Sequence, residues 1–90
     1  MYLHLGQNIV VPEESVLGIF DLDNTTNSHI TRKFLNNAEK SGSLISVTDE
    51  LPRSFVVCCE NNTDIKIYLS QLSSQTLTKR SSGVLVGIIE

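Results

Sequence analysis

The sequence predicts an α+β fold: a small, mostly antiparallel sheet with one main helix and a short C-terminal helix. Ninety residues make one small domain, so we predict that residues 1–90 fold as a single unit. Several short stretches alternate apolar and polar residues or are rich in β-branched residues, as strands are. Only two segments, one after residue 28 and one after residue 72, have the spacing of a helix.

The first three strands are predicted from residue 2 to residue 20. Tyr2–Leu5 and Ile9–Val11 are strand candidates, and Gly6-Gln7-Asn8 between them has the residues of a tight turn. Pro12 and the two glutamates after it end this pairing. Val16–Phe20 then forms the third strand.

The main helix follows a polar segment, residues 24–28, whose residue types favour caps and turns. Four apolar residues recur at helical spacing and are predicted to face the core: Ile30, Phe34, Leu35 and Ala38. Gly42 is a natural left-handed end for this helix. The charged residues Arg32 and Lys33 lie on its other faces, where a solvated surface and a phosphate-contacting surface look alike.

The second half returns to strands. Leu44–Val47, Phe55–Cys59 and Ile65–Leu69 are candidates, with residues 61–64 as a hairpin loop between the last two. Ser73–Arg80 is predicted to be a short helix with Ser73 or Ser74 as its cap and Leu77 inward. The apolar tail, residues 84–89, is expected to pair with a sheet edge or to be buried in a partner subunit.

One segment suggests an enzyme. An apolar strand leads into Asp21-Leu22-Asp23-Asn24-Thr25, the form of the nucleophile motif of haloacid-dehalogenase-type phosphatases. There the first aspartate attacks phosphorus, the second is the general acid and base, and Mg²⁺ needs further acidic ligands.

The rest of the chain does not supply such a site. No distal pair of acidic residues ends an apolar run, and only about two parallel crossovers of ~30 residues fit after residue 18. We therefore predict a non-enzymatic protein with no catalytic residues, no cofactor, no metal and no small-molecule substrate. Asp21 and Asp23 would then place negative charge near the amino terminus of the main helix.

Net charge, cysteine content and the lack of targeting segments indicate which partners and which cellular compartment to expect. The net charge of −3 is not typical of a strong nucleic-acid binder, although a local basic face is compatible with it. Cys58 and Cys59 are adjacent, so in a strand they point to opposite faces and are poorly placed to bond each other or one metal. Residues 1–11 lack the basic start of a signal peptide, and the longest apolar run is too short to span a bilayer. We expect a cytoplasmic protein with reduced thiols and no membrane partner.

Several segments in one order resemble the RemA/RemB family of extracellular-matrix regulatory proteins of Bacillus-like bacteria. The likeness covers residue 1 to about residue 80 and leaves the apolar tail unmatched. The segments that carry it are Met1–Glu13, Phe20–Asp23, Thr31–Leu35 and Leu51–Val57.

The resemblance implies a cytoplasmic regulator of the transcription of biofilm matrix genes, assembled as a ring-shaped homo-oligomer that binds duplex DNA. In that family the DNA contact uses arginines in the loop between the strands equivalent to Leu44–Val47 and Phe55–Cys59. In this chain Leu51 and Pro52 occupy the place of the tandem arginines, Asp49 and Glu50 precede them, and Arg53 alone remains. Each lost phosphate contact weakens DNA binding, whereas a ring would repeat Arg53 around its rim.

Two functions therefore stay open. The first is an oligomeric DNA-binding regulator that acts through Arg53, assisted by Arg32 or Lys33. The second is a non-enzymatic, oligomerising protein-interaction module that does not bind DNA itself.

Overall fold

The computed structural model describes residues 2–22, 29–61, 63–80 and 88–89, the last two by their backbone alone. The helices are α1 (His29–Lys40) and α2 (Ser74–Arg80), and a 3₁₀ turn covers Glu13–Ser15. The strands are β1 (Tyr2–Gly6), β2 (Ile9–Pro12), β3 (Val16–Asp21), β4 (Leu44–Ser46), β5 (Ser54–Glu60), β6 (Asp64–Ser70) and β7 (Ile88–Ile89). The predicted α+β fold, with one main helix and a short C-terminal helix, is confirmed.

The main sheet has the strand order β4-β6-β5-β3-β7. Its centre is antiparallel: β5 pairs with β6 over its whole length and with β3 on its other side. Its two outer pairs, β4 with β6 and β7 with β3, are parallel. The predicted hairpin between β5 and β6 is therefore confirmed, although Asp64, which was predicted in its loop, is already paired with Glu60. The parallel edge pairs join strands that are distant in sequence.

A second, two-stranded sheet is formed by β1 and β2, which pair antiparallel as predicted. Gly6 and Gln7 both have positive φ angles, of 124° and 51°, and allow the chain to reverse between the strands. Alternation along the hairpin buries Leu3, Leu5 and Val11 and exposes Tyr2 and Val10.

Both faces of the main sheet are covered. One face packs against the β1–β2 hairpin and α2 around a cluster that includes Ile19, Val56, Tyr68 and Leu77. The other face packs against α1 around Leu22, Ala38, Phe55 and Ile67. Ile67 of β6 points to one face of the sheet, and Tyr68 and Ser70 point to the other. Because both faces are covered, all three residues are buried.

Gly42 terminates α1 as predicted, two residues after its last helical residue, Lys40, and has φ +79°. The Ser43 N–H donates to the Ala38 carbonyl at 2.9 Å and the Gly42 N–H to the Glu39 carbonyl at 3.2 Å, the pattern of a Schellman cap. At α2, the cap is Ser73, whose Oγ accepts the Thr76 N–H at 3.1 Å.

The prediction that four apolar residues of α1 face the core is partly wrong. Ala38 is buried and Leu35 half-buried, but Ile30 is 82% exposed and Phe34 is 41% exposed. Helical spacing identifies residues on one side of a helix, yet it does not fix how the helix is rotated over its sheet. Here Leu35 and Ala38 lie against the sheet, and Phe34 reaches it at one edge, with its ring centroid 6.2 Å from that of Phe55.

The apolar tail contributes β7, which pairs with Ile19 and Phe20 of β3 at the edge of the main sheet. The remainder of the predicted tail, residues 84–87, lies outside the described residues, as do residues 81–83 and 90.

Candidate nucleic-acid interface

Arg53 lies at one foot of the loop that joins β4 to β5. Its backbone N–H donates to the Ser70 carbonyl at 2.8 Å, and its carbonyl accepts the Leu22 N–H at 3.0 Å. At the other foot, the Val47 N–H donates to the Leu69 carbonyl at 2.9 Å. The backbones of Val47 and Arg53, at the two ends of the loop, are thus hydrogen-bonded to Leu69 and Ser70 at the end of β6. The Arg53 side chain is exposed.

Two fully buried serines stiffen the base of this loop. Ser70 Oγ donates to the Leu5 carbonyl at 2.6 Å and accepts the Leu72 N–H at 3.0 Å. Ser54 Oγ donates to the Leu72 carbonyl at 2.8 Å. These bonds connect the start of β5, the end of β6 and the end of β1, so the backbone of Arg53 stands on a fixed platform.

The tip of the loop is acidic and apolar. Thr48 is buried and its Oγ1 accepts the Glu50 N–H at 3.0 Å, which turns the chain so that residues 49–51 project outward. Asp49 and Glu50 are exposed, and Leu51, which follows them, is 87% exposed. We name Asp49-Glu50-Leu51 the acidic tip.

The local charge opposes phosphate binding at this loop. Between residues 48 and 54 two acidic groups, Asp49 and Glu50, face one basic group, Arg53, so the segment carries a formal charge of −1. Charged groups this close in sequence act within one Debye length, about 8 Å at physiological salt, so the acids lower the positive potential around Arg53.

The other two predicted nucleic-acid contacts, Arg32 and Lys33, lie on α1 and are both exposed. At 3.6 residues per turn, consecutive helix residues point about 100° apart, so these two side chains do not share one direction. Lys33 shares its side of the helix with Asn37 and Lys40, which follow at the i+4 and i+7 positions. The three predicted site residues therefore come from two elements and from different sides of one helix.

An apolar groove lies between α1 and β6, beside the side of the helix that carries Lys33, Asn37 and Lys40. It has a volume of about 340 Å³ and is lined by Phe34, Asn37, Ala38, Ser41, Ser43, Ile65 and Ile67. No pattern in the sequence predicted this groove. The signal was present in Phe34 and Ile65, two large apolar residues that are 41% and 42% exposed, but their exposure depends on the rotation of α1.

The phosphatase-like segment is only partly described. Asp21 ends β3 opposite Ser54 of β5, and this pair is antiparallel, unlike the parallel sheet on which that phosphatase motif depends. Asp23 and the uncharged residues 24–28 lie outside the described residues, and so does the predicted position of the Asp23 charge near the amino terminus of α1. Within the described residues, no three His, Cys, Asp or Glu side chains come together as metal ligands would.

The two cysteines are free thiols in different environments. Cys58 is buried and Cys59 is half-buried. Burial raises the pKa of the Cys58 thiol to about 11, against a lowering by the Ser15 hydroxyl and a further raising by Glu60. Cys58 is therefore protonated at neutral pH and is a packed core residue.

The fold and the site define a small α+β domain that presents one anchored loop at an end of its main sheet. No helix in the described part of the chain is long and apolar enough to cross a membrane.

Comparison with known proteins identifies the family. The family model for RemA-like proteins, described as extracellular matrix regulatory protein A-like, matches residues 2–80. The chain is also 37% identical to extracellular matrix regulatory protein B of Bacillus subtilis (strain 168) over 81 residues. This alignment covers 90% of each protein. The chain belongs to the RemA-like family of extracellular matrix regulatory proteins. The resemblance stated from the sequence is confirmed, and β7 lies beyond the matched region.

Proposed function

We propose that this protein regulates extracellular-matrix genes in the cytoplasm as a non-enzymatic homo-oligomer that binds duplex DNA. Arg53 makes the main phosphate contact, and Arg32 and Lys33 of α1 add positive charge. Membership of the RemA-like family supports the regulatory role, and the name of the Bacillus subtilis relative, a matrix regulatory protein, agrees with it.

One observation carries the DNA part of the proposal. The Arg53 backbone is held on both sides by hydrogen bonds, to Ser70 and Leu22, and rests on the buried Ser54 and Ser70 network. A guanidinium on a fixed backbone loses less conformational freedom when it binds a phosphate, and it presents its donors in a planar fork that matches phosphate oxygens. A homo-oligomer repeats this single arginine, so several weak contacts act on one duplex.

The test is retention of a duplex by the purified protein over a series of salt concentrations. We expect log affinity to fall linearly with log salt, with a slope of about −0.9 for each phosphate neutralised. Arg53→Ala removes one contact per DNA-contacting subunit and abolishes retention at physiological salt, whereas Arg53→Lys keeps the charge and loses only the fork geometry.

Lys79→Ala is the matched control, because Lys79 is an exposed cation on α2, an element that supplies none of the proposed DNA contacts. Equal weakening by Arg53→Ala and Lys79→Ala would indicate only a general charge effect. Retention that is absent in the wild-type protein, or that does not change with salt, would refute DNA binding.

The acidic tip favours a second candidate function, an oligomerising protein-interaction module without DNA binding. Asp49 and Glu50 beside Arg53 reduce its attraction for phosphate, and the exposed Leu51 suits an apolar contact. This alternative predicts a stable oligomer in solution together with no salt-dependent retention of DNA, so the same experiment separates the two.

A further inference from the structure

Two of the surfaces that the structure describes take no part in the proposed DNA contact: the acidic tip and the apolar groove beside α1. Leu51 of the tip is 87% exposed, the largest exposed fraction among the large hydrophobic side chains that the structure describes. Phe34 and Ile65 are also exposed, by 41% and 42%, and both line the groove. One apolar projection and one apolar depression thus occur on the same small domain.

The charges around the two surfaces are complementary. The tip carries Asp49 and Glu50 directly before Leu51. The groove is lined by Asn37, and the residues four before and three after it on the same side of α1 are Lys33 and Lys40, both exposed. An apolar side chain flanked by acids therefore matches an apolar groove flanked by lysines.

The groove also has enough room. A cavity of about 150 Å³ lined by apolar residues holds a benzene ring, so an open groove of about 340 Å³ accepts a leucine side chain and its neighbour. Its floor is apolar, formed by Ala38 and Ile67, and both of these are buried parts of the core that hold the groove in shape.

The acidic tip of a chain does not reach the groove of the same chain. The tip follows β4 and is anchored at the Ser70 end of β6, whereas Ile65 lies at the opposite end of that strand. At ~3.3 Å per residue, Ile65 and Ser70 are roughly 17 Å apart along β6. Leu51 is two residues from the anchored Arg53, a reach of roughly 7 Å for an extended chain, so it cannot contact Ile65 of its own chain. A tip–groove contact therefore joins two molecules.

We propose that the acidic tip of one copy of this chain docks in the apolar groove of a second copy, with Leu51 seated between Phe34 and Ile65. Asp49 and Glu50 pair with Lys33 and Lys40 of the neighbour. The two surfaces differ, so the contact is heterologous, and it generates a closed ring when the rotation per subunit closes and a filament when it does not. This inference rests on the homo-oligomer of the proposed function and names its interface. A docked tip would engage Lys33, so Arg32 and Arg53 would then supply the positive charge for DNA.

The test uses two variants that damage opposite halves of the contact. Leu51→Ser removes the apolar side chain of the tip and leaves the groove intact, whereas Ile65→Thr damages the groove and keeps a β-branched residue in β6. Each variant alone should lose the wild-type oligomer and run at a single-chain mass in light scattering, with association weakened at least about tenfold. Mixed in equal amounts, they should form a two-chain species, because one intact tip and one intact groove remain in the mixture.

Val10→Thr is the matched control, since Val10 is 53% exposed on the β1–β2 hairpin and touches neither surface; it should keep the wild-type mass. Circular dichroism of each variant verifies that it is folded. If Ile65→Thr does not fold, Lys33→Glu with Lys40→Glu replaces it, and reversal of the tip charges by Asp49→Lys with Glu50→Lys should restore assembly.

Each outcome decides something. A wild-type oligomer whose mass is unchanged in both variants refutes this interface and leaves the proposed function standing. Two monomeric variants that do not associate when mixed refute the heterologous arrangement. A wild-type protein that is monomeric refutes the interface and the homo-oligomer together, while DNA retention measured on the same sample reports separately on Arg53.

Discussion

Ser70 offers the sharpest test of the platform that holds Arg53. Its hydroxyl is fully buried and makes two bonds, one to the Leu5 carbonyl at 2.6 Å and one from the Leu72 N–H at 3.0 Å. Ser70→Ala deletes both without changing the size of the side chain by more than one atom. The Leu5 carbonyl, whose bond is buried, and the Leu72 N–H, whose bond is part-buried, each lose a partner. At about 1–3 kcal/mol for each group, we expect the free energy of unfolding to fall by roughly 2–6 kcal/mol.

Urea unfolding followed by circular dichroism measures this change directly. For a domain of this size, each kcal/mol corresponds to about 4–8 °C in the melting temperature, so the predicted loss is also visible in a thermal scan. Ser54→Ala, which deletes one bond to the Leu72 carbonyl, should cost less than Ser70→Ala. Ser46→Ala is the control, because Ser46 is exposed and its bond to the Thr48 carbonyl competes with water.

A loss below about 0.5 kcal/mol in Ser70→Ala, within the range of ordinary surface substitutions, would refute the view that this network supports the loop. A loss equal to that of Ser46→Ala would lead to the same conclusion.

Two further predictions concern residues outside the β4–β5 loop. The pKa of Cys58 is about 11 in the folded protein against 9.0 for an ordinary thiol, so its contribution to stability is complete below pH 9 and is lost as the pH rises towards 11. Urea midpoints should therefore fall more over that interval in the wild type than in Cys58→Ala, and parallel declines would contradict the shift. Gly6→Ala should destabilise the β1–β2 turn by roughly 1–3 kcal/mol, because φ there is +124° and a Cβ would lie 2.9 Å from Gln71 Oε1. Unchanged thermal stability in Gly6→Ala would show that the turn relaxes without cost.

The sequence was sufficient for the elements of this fold because each of them depends on local chemistry. Gly42 ends α1 through its own left-handed backbone, and Ser73 caps α2 through a bond three residues away. The alternation along β6 correctly separates Ile67 from Tyr68, since neighbouring strand residues always point to opposite faces. Such patterns require no knowledge of what packs against the element.

The remaining features depend on tertiary contacts. Alternation could not show that both faces of β6 are buried, because the covering hairpin begins more than fifty residues earlier in the chain. The Ser70 bond to Leu5 spans 65 residues, and no local motif indicates it. The error at Ile30 has the same origin, since the rotation of α1 is set by what the sheet below it accepts. For the site, the position of Arg53 followed from the sequence, but its anchored backbone and the groove beside α1 did not.

The loop after β4 has two parts with different physical requirements. A phosphate contact benefits from a fixed backbone, and Arg53 sits where hydrogen bonds to Ser70 and Leu22 fix it. A copy-to-copy contact benefits from an apolar side chain that projects, and Leu51 projects two residues earlier, beyond the turn organised by Thr48. The acids weaken the first role and strengthen the second, because phosphate repels them and the lysines beside the groove attract them. Docking of the tip would also place Asp49 and Glu50 against lysines of the neighbour, which neutralises much of the charge that opposes DNA at Arg53. Assembly would therefore raise the affinity of each arginine for phosphate, in addition to multiplying the arginines.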